Sequence, residues 1–371
     1  MSGEAAPRAL FDVAQAASRV LGRRVDALYE PNWMLAENAR ALQEKRRDLV
    51  RCLVRILRSV YQEELLCDAR TYPVLLVHSP LWIEALQDAL CGVLLGNMGA
   101  PSVSFVDTHT LALLATGRNS GLVVDVGYWE TCVMPIYAGR PMHSCLASTP
   151  RAGRRLHIAV EALVGTYGAA DGAPLDEQLG EVVHRLTTEA LVVGERPPAS
   201  CDCSLPLDVE AMKEAYGAGR AEDVAVRTTK GQVRLPGWIR TAACEALWEN
   251  GDEDELGIVA CVRQCITRLP LDVRRDILDA VVLAGGTAQL PHFAHRLEDE
   301  LNTPLPSAGQ VGQGALPPLR VRVLNAGPPD APRMLPIPPN LLAWTGGSLA
   351  ASLGTSGVQH VSRAQWRTDV H

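Results

Sequence analysis

The sequence predicts an α/β protein with a partly parallel sheet, and three observations carry that expectation. Short apolar strands alternate with helix-patterned segments between residues 74 and 115. Hairpin-like strands follow from Gly121. A further buried strand, Val281-Val282-Leu283, runs directly into a glycine pair and then a helix. The chain has 371 residues, 47% of them apolar, which suits one large two-lobed domain or two ordinary ones.

Taken in order, residues 8–21 place apolar side chains at helical spacing. Residues 35–66 do so more clearly, through Leu42, Leu49, Leu53, Leu57, Val60 and Tyr61. Val74–Val77 reads as a buried strand, and Ser79-Pro80 as the opening of a helix to about Leu95. A strand (Ser102–Val106) and a helix (Thr108–Ala115) complete this layer. From Gly121 the pattern becomes a three-strand meander, Leu122–Asp125, Cys132–Tyr137 and Met142–Leu146, followed by a helix over Arg154–Val164. Residues 165–205 hold Gly, Pro and Ser clusters around one amphipathic stretch and suit a peripheral insertion. Residues 207–279 read as mostly helical. The proline-rich stretch 303–339 reads as a loop excursion with a strand at Leu319–Leu324, and Asn340–Leu353 as a last apolar helix.

Composition removes several function classes. Of 35 basic residues only Lys45, Lys213 and Lys230 are lysine, and none follows a glycine, so no G-x-x-x-x-G-K-[ST] phosphate loop exists. A net charge of −7 argues against general nucleic-acid binding, while Arg151, Arg154 and Arg155 leave room for a local anion site. No apolar run approaches the ~20 residues of a membrane span. The ten cysteines include no C-x-x-C pair (Cys201/Cys203 and Cys261/Cys265 come closest) and read as reduced thiols rather than zinc ligands.

Two segments stand out chemically. Asp125-Val126-Gly127 ends a buried strand with a carboxylate suited to a hydrated Mg²⁺ and a glycine suited to close phosphate approach; it also fits an ordinary hairpin turn. Val281–Leu283 leading into Ala284-Gly285-Gly286-Thr287 lets backbone pass near a ligand, and equally fits a plain strand–helix turn. His109 beside Asp107 reads as a helix-start polar pair, Asp252–Glu255 as a solvated helix cap, Trp33, Trp238 and Trp248 as core or interface aromatics, and Trp366 as a partner contact.

These two segments, with Pro135-Ile136-Tyr137-Ala138-Gly139, Pro291 and the run Trp344-Thr345-Gly346-Gly347-Ser348-Leu349, make residues 74–353 resemble the actin family. Within it, Asp125–Glu130 and Ser144–Leu156 look most like the member at the pointed end of the dynactin filament or a divergent paralogue of it. The resemblance implies two similar α/β lobes, residues 1–120 with 335–371 and residues 121–334, the latter carrying the 165–205 insertion. It also implies ATP or ADP with Mg²⁺ in the cleft, a cytoplasmic, cytoskeletal setting, and partners among actin-related filament and dynactin pointed-end subunits.

By resemblance, nucleotide contacts would come from Asp125, Gly127, Lys213, Glu214, Gly285, Gly286 and Thr287, with Asp125 facing the metal. Departures from the family pattern are concentrated at the phosphates. Its D-x-G-D-G becomes Asp125-Val126-Gly127-Tyr128-Trp129, its water-positioning glutamine aligns with Thr108, and Leu290 stands where a residue usually lies against the base. The first phosphate loop, D-x-G-x-x-x-x-K, has only a degenerate counterpart, Asp12 with Ala14 for glycine and Arg19 for lysine; the same residues also fit a plain helix. Both readings imply little or no hydrolysis, because phosphoryl transfer depends on positioning and charge stabilisation. Three functions fit these residues: a pointed-end capping component, a divergent actin-like structural protein outside dynactin, and an actin-fold ATPase or kinase.

Overall fold

The structure, a computed structural model, describes residues 39–82, 84–195, 213, 216, 222–251, 255–303, 320–324, 336–353 and 360–369. The expectations for residues 8–21 (with Asp12, Ala14 and Arg19), Trp33, Cys201/Cys203, Glu214 and Asp252–Asp254 lie outside the described residues. The chain forms two compact units, the first ending at Thr108 and resuming at Gly347, the second running from His109 to Gly346.

In the first unit, α1 (Ala39–Ser59) continues into a π-helical turn, Val60–Glu64. Leu49, Cys52, Leu53 and Ile56 are buried, while Arg46, Arg47, Asp48 and Arg51 are exposed, the division that an amphipathic surface helix requires. Strand β1 (Val74–His78) then pairs in parallel with β2 (Ser102–Asp107) through α2 (Glu84–Cys91) and a second π-helical turn, Gly92–Met98. The α2 helix starts later than expected. Ser79 instead closes a turn, its Oγ and carbonyl accepting the amides of Leu81 (3.3 Å) and Trp82 (3.1 Å). A short antiparallel strand, His360–Ser362, covers the other edge of β2, and the helix Arg363–Asp369 follows. Trp366 is half-buried and packs against the cluster that contains Tyr61, Leu94, Leu95 and Val103.

The second unit opens with α3 (Thr108–Ala115, whose first residue falls in the other unit) and is centred on β3 (Gly121–Val126) and β4 (Thr131–Tyr137). The expected third strand of the meander is divided. Arg140–Pro141 (β5) and Ala147–Thr149 (β6) pair with opposite ends of β4, and His143–Cys145 between them is a 3-10 turn that buries Cys145, whose thiol donates to the Arg268 carbonyl. Helix α4 (Gly153–Tyr167) follows.

Beyond it, β7 (Ala169–Gly172) and α5 (Leu175–Arg185) occupy the expected insertion. That stretch is not peripheral: Val182, Val183, Leu186, Leu191 and Val193 enter the main core of the unit. Residues 207–279 also differ from the mostly helical expectation. They contain the hairpin β8 (Val224–Thr228) and β9 (Gly231–Leu235), which adds to β7 as a separate three-stranded sheet. The helices of this region that matter below are the short α6 (Ile239–Ala242), α7 (Ile258–Arg268) and α8 (Leu271–Leu278).

Strand β10 (Val281–Ala284) pairs in parallel with β3, giving the order β10-β3-β4-β5. Alternation along β3 and β10 feeds two cores. Leu122, Val124, Val126, Val281 and Leu283 enter one, and Val123, Val282 and Ala284 enter the other with Ala112, Leu113 and Leu342. A sheet buried on both faces therefore reads as a continuous apolar run. Leu319–Leu324 does not form the expected strand; among its described residues only Val323 bridges to Val281. Helix α9 (Phe293–Asn302) and α10 (Leu342–Leu353) complete the description. Gly346 lies where any Cβ would strike the Leu111 backbone, so glycine lets α10 rest directly on α3.

Candidate functional site

Three segments of the second unit meet at the carboxyl ends of the parallel pair β3–β10, the edge at which α/β sheets commonly place ligands. The first is the β3–β4 turn, closed by Gly127 N–H on the Glu130 carbonyl at 3.1 Å. The second is the start of α4. The third is Gly285-Gly286-Thr287 after β10. They are bonded to one another: the Gly127 carbonyl accepts from Gly153 N–H (3.0 Å) and from the Thr287 hydroxyl (2.8 Å), and the Tyr128 carbonyl accepts from Arg154 N–H (2.6 Å).

Gly285 is fixed by this crossing. Its φ is +89°, and a Cβ there would stand 2.6 Å from Asp125 Oδ1 and closer still to the Val126 carbonyl. Gly286, by contrast, is exposed with open space around it. Asp125 is half-buried at the end of β3, opposite Ala284 on one side and Cys132 on the other.

Two aromatics stand at this turn, Tyr128 exposed and Trp129 half-buried. Tyr128 and Trp129 meet edge to face at 5.3 Å, and the Arg154 guanidinium lies over the Trp129 ring at 5.0 Å. Helix α4 thus spends its first free amides on loop carbonyls and places a cation beside them. An incoming phosphate would have to displace those carbonyls to reach the amides. What remains suited to a Mg-nucleotide is the Asp125 carboxylate, the open Gly286 and the Arg154 charge; the Gly153 and Arg154 amides do not fit it as they stand.

A family model described as Actin matches residues 51–169 and 237–369, well over half of the chain. The chain belongs to the actin family. Actin relatives as a class bind ATP or ADP with Mg²⁺ and are weak ATPases, act among cytoskeletal proteins, and share the two-lobed α/β architecture that the mixed sheets here fit. Among the described residues no helix is long and apolar enough to cross a membrane.

Against that family pattern, the structure brings together Asp125, Gly127, Tyr128, Trp129, Gly285, Gly286 and Thr287 in one unit. Leu290, at the position where the family usually places a residue against the base, is half-buried and packs against the main core, its amide on the Thr287 carbonyl at 3.2 Å. Lys213 is an exposed helical residue, and Thr108 is half-buried at the first turn of α3. Arg151 leaves the expected arginine cluster altogether. It is fully buried, with Nη1 donating to the Ala246 carbonyl at 3.2 Å and Nη2 facing Glu255 at 3.4 Å. Burial and the neighbouring Arg155 pull its pKa down, against the opposing pull of Glu255 and Glu249.

The partners of several other groups were not anticipated. His109 is fully buried and its Nε2 meets the Cys132 carbonyl at 3.0 Å, tying α3 to β4. Arg296 forks onto both carboxylate oxygens of Glu245, reaches Glu300 (2.9 Å) and the Gly194 carbonyl (3.1 Å), and covers the Trp248 ring. Burial alone would lower the Arg296 pKa, but its bonds to Glu245 and Glu300 outweigh that and raise it. Glu249, also buried, has its pKa pushed up to about 7 by burial, against Arg151. Cys132, Cys244, Cys261 and Cys265 are buried thiols whose pKa burial raises, which makes them unreactive.

Proposed function

We propose that this actin-family chain has given up ATP turnover and works through its surfaces, as a pointed-end or capping component of a dynactin-like filament. The observation that carries this reading is the cross-bonded phosphate turn, in which the α4 amides are held by the Gly127 and Tyr128 carbonyls and Arg154 is stacked on Trp129. The sequence supports it: the degenerate counterpart of the first loop, Asp12 with Ala14 and Arg19, carries arginine where the family has lysine, and the second carboxylate of the second loop is replaced by Tyr128. Arg is no substitute for such a lysine, because a planar fork and a compact ammonium present charge differently.

A capping subunit has no need to cycle nucleotide, which is why a degenerate cleft and a retained fold are compatible. Inside the family, Asp125–Glu130 and Ser144–Leu156 resemble actin-related protein 10, also called actin-related protein 11, or its divergent paralogue actin-like protein 10. Residual ATP or ADP binding with Mg²⁺ at Asp125 and Gly286 remains compatible with this role, and a cytoplasmic, cytoskeletal location follows from it.

Two measurements test the proposal. Phosphate release from ATP by the purified chain should be indistinguishable from background, and turnover at rates usual for actin would overturn the loss of chemistry. Affinity purification from cells should recover actin-related filament and pointed-end subunits; their consistent absence would favour an actin-like structural protein outside dynactin.

A further inference from the structure

We infer that the second unit carries a docking groove for an acidic protein segment. The groove runs between the end of α3, helix α8 and residues 320–322, away from the cross-bonded loops, so it stands independently of the reading above. Its volume, about 1930 Å³, exceeds the ~300–1,000 Å³ usual for small-molecule pockets, which favours a length of polypeptide.

Charge selects the occupant. Five arginines line the groove against three carboxylates, Asp276, Asp279 and Glu298. This local excess of cations runs against the −7 of the whole chain. The arginines differ in how far they are committed. Arg274 is held by the Leu269 and Thr267 carbonyls, both at 2.9 Å, and acts as wall. Arg118 stands 4.0 Å from Asp279, the outer limit of an ion pair, and both are exposed. Arg275 and Arg320 are exposed and make no ion pair among the described residues; Arg322 is exposed beside them.

Guanidinium forks on a groove wall match carboxylates bidentately, a geometry that an Asp- or Glu-rich segment supplies repeatedly. Leu271 adds an apolar foothold: 68% of its surface is exposed, on the same wall. The occupant is therefore an acidic segment carrying at least one large aliphatic side chain. Binding of this kind is steered by charge and weakens with salt.

The test uses the full chain and a fluorescent ten-residue peptide of Glu and Asp with two leucines, read by anisotropy. Saturable binding that weakens as salt rises is expected. The double variant Arg275→Glu/Arg320→Glu should lose at least tenfold in affinity, and Leu271→Ser about threefold, with thermal midpoints unchanged. Should the double variant fold poorly, Arg320→Ala alone should still lose two- to threefold. Absence of peptide binding, or equal binding by the arginine variants, would overturn the inference. So would a labelled nucleic-acid duplex binding more tightly than the peptide, since the groove would then be a general polyanion surface.

Discussion

Gly285 and Gly286 stand side by side in one motif, yet only the first is required by the fold. At Gly285 a Cβ would meet the Val126 carbonyl and Asp125 Oδ1 in a left-handed backbone conformation, so Gly285→Ala should destabilise the protein by about 2–4 kcal/mol. Gly286→Ala has open space and should change stability by less than about 0.5 kcal/mol. Urea denaturation of both variants checks the contrast, and equal losses would mean that the crossing is not what fixes Gly285. Glu249 offers a pH test at the same scale. Its folded pKa, about 7, lies above the ordinary carboxylate value, so the folded state holds a proton that the unfolded chain releases. Stability from this group is full below about pH 4.5 and is lost as pH rises through 7. The charged groups facing it are Arg151, Arg155 and Glu245. Glu249→Gln should match the wild type near pH 4 and exceed it by up to roughly 3 kcal/mol at pH 8. A constant difference across that range would assign the shift to other groups.

At the scale of elements, the Glu245–Arg296 fork joins the 3-10 segment Ala243–Leu247 to helix α9, and through the Gly194 carbonyl to the chain leaving α5. The Tyr216 hydroxyl donates to the same carboxylate at 2.9 Å, so Glu245 is a hub for three segments. Arg296→Ala would leave a buried carboxylate uncompensated and should cost about 3–5 kcal/mol, measured by chemical denaturation. Arg296→Lys should recover little of this, because one ammonium cannot reach Glu245 bidentately and also hold Glu300. None of this network was legible beforehand, since Glu245 and Arg296 are far apart in the chain and carry no local pattern. Elements whose burial is written into their own spacing were legible: α1 by its leucines, and β3 and β10 by continuous apolar runs ending in Asp125 and Gly285. The β8–β9 hairpin was legible only in part. Val224, Val226, Val233 and Leu235 alternate on either side of Lys230-Gly231, but the surrounding helix-patterned sequence masked that period of two. The site residues at the turn were recoverable for the same reason as β3 and β10. Arg154 was picked out only as part of a basic cluster; its stack on Trp129 was not legible, because side-chain partners across a fold leave no trace in spacing.

For the molecule as a whole, the decisive question is whether its stability is coupled to nucleotide. A ligand that binds only the folded state stabilises it by RT ln(1 + [L]/Kd), about 2.7 kcal/mol at one hundred times Kd. An intact actin-type site would therefore make the thermal midpoint depend strongly on MgATP and on chelation of the cation. Here the β3–β4 turn is tied down by atoms of its own unit: the Gly127 carbonyl takes two donors, the Tyr128 carbonyl takes a third, and Arg154 is engaged by an aromatic face. Two cores bury both faces of the central sheet. The purified chain should then show midpoints within about 1 °C of one another in millimolar MgATP, in MgADP and in excess EDTA. Replacing the stack, by Trp129→Gly with Tyr128→Asp, restores a small turn and the missing carboxylate, and is the change most able to create nucleotide dependence. A clear midpoint rise with MgATP in that variant alone would tie the loss of coupling to these two residues. A rise in the wild type would mean that the loops open for nucleotide despite their internal bonds.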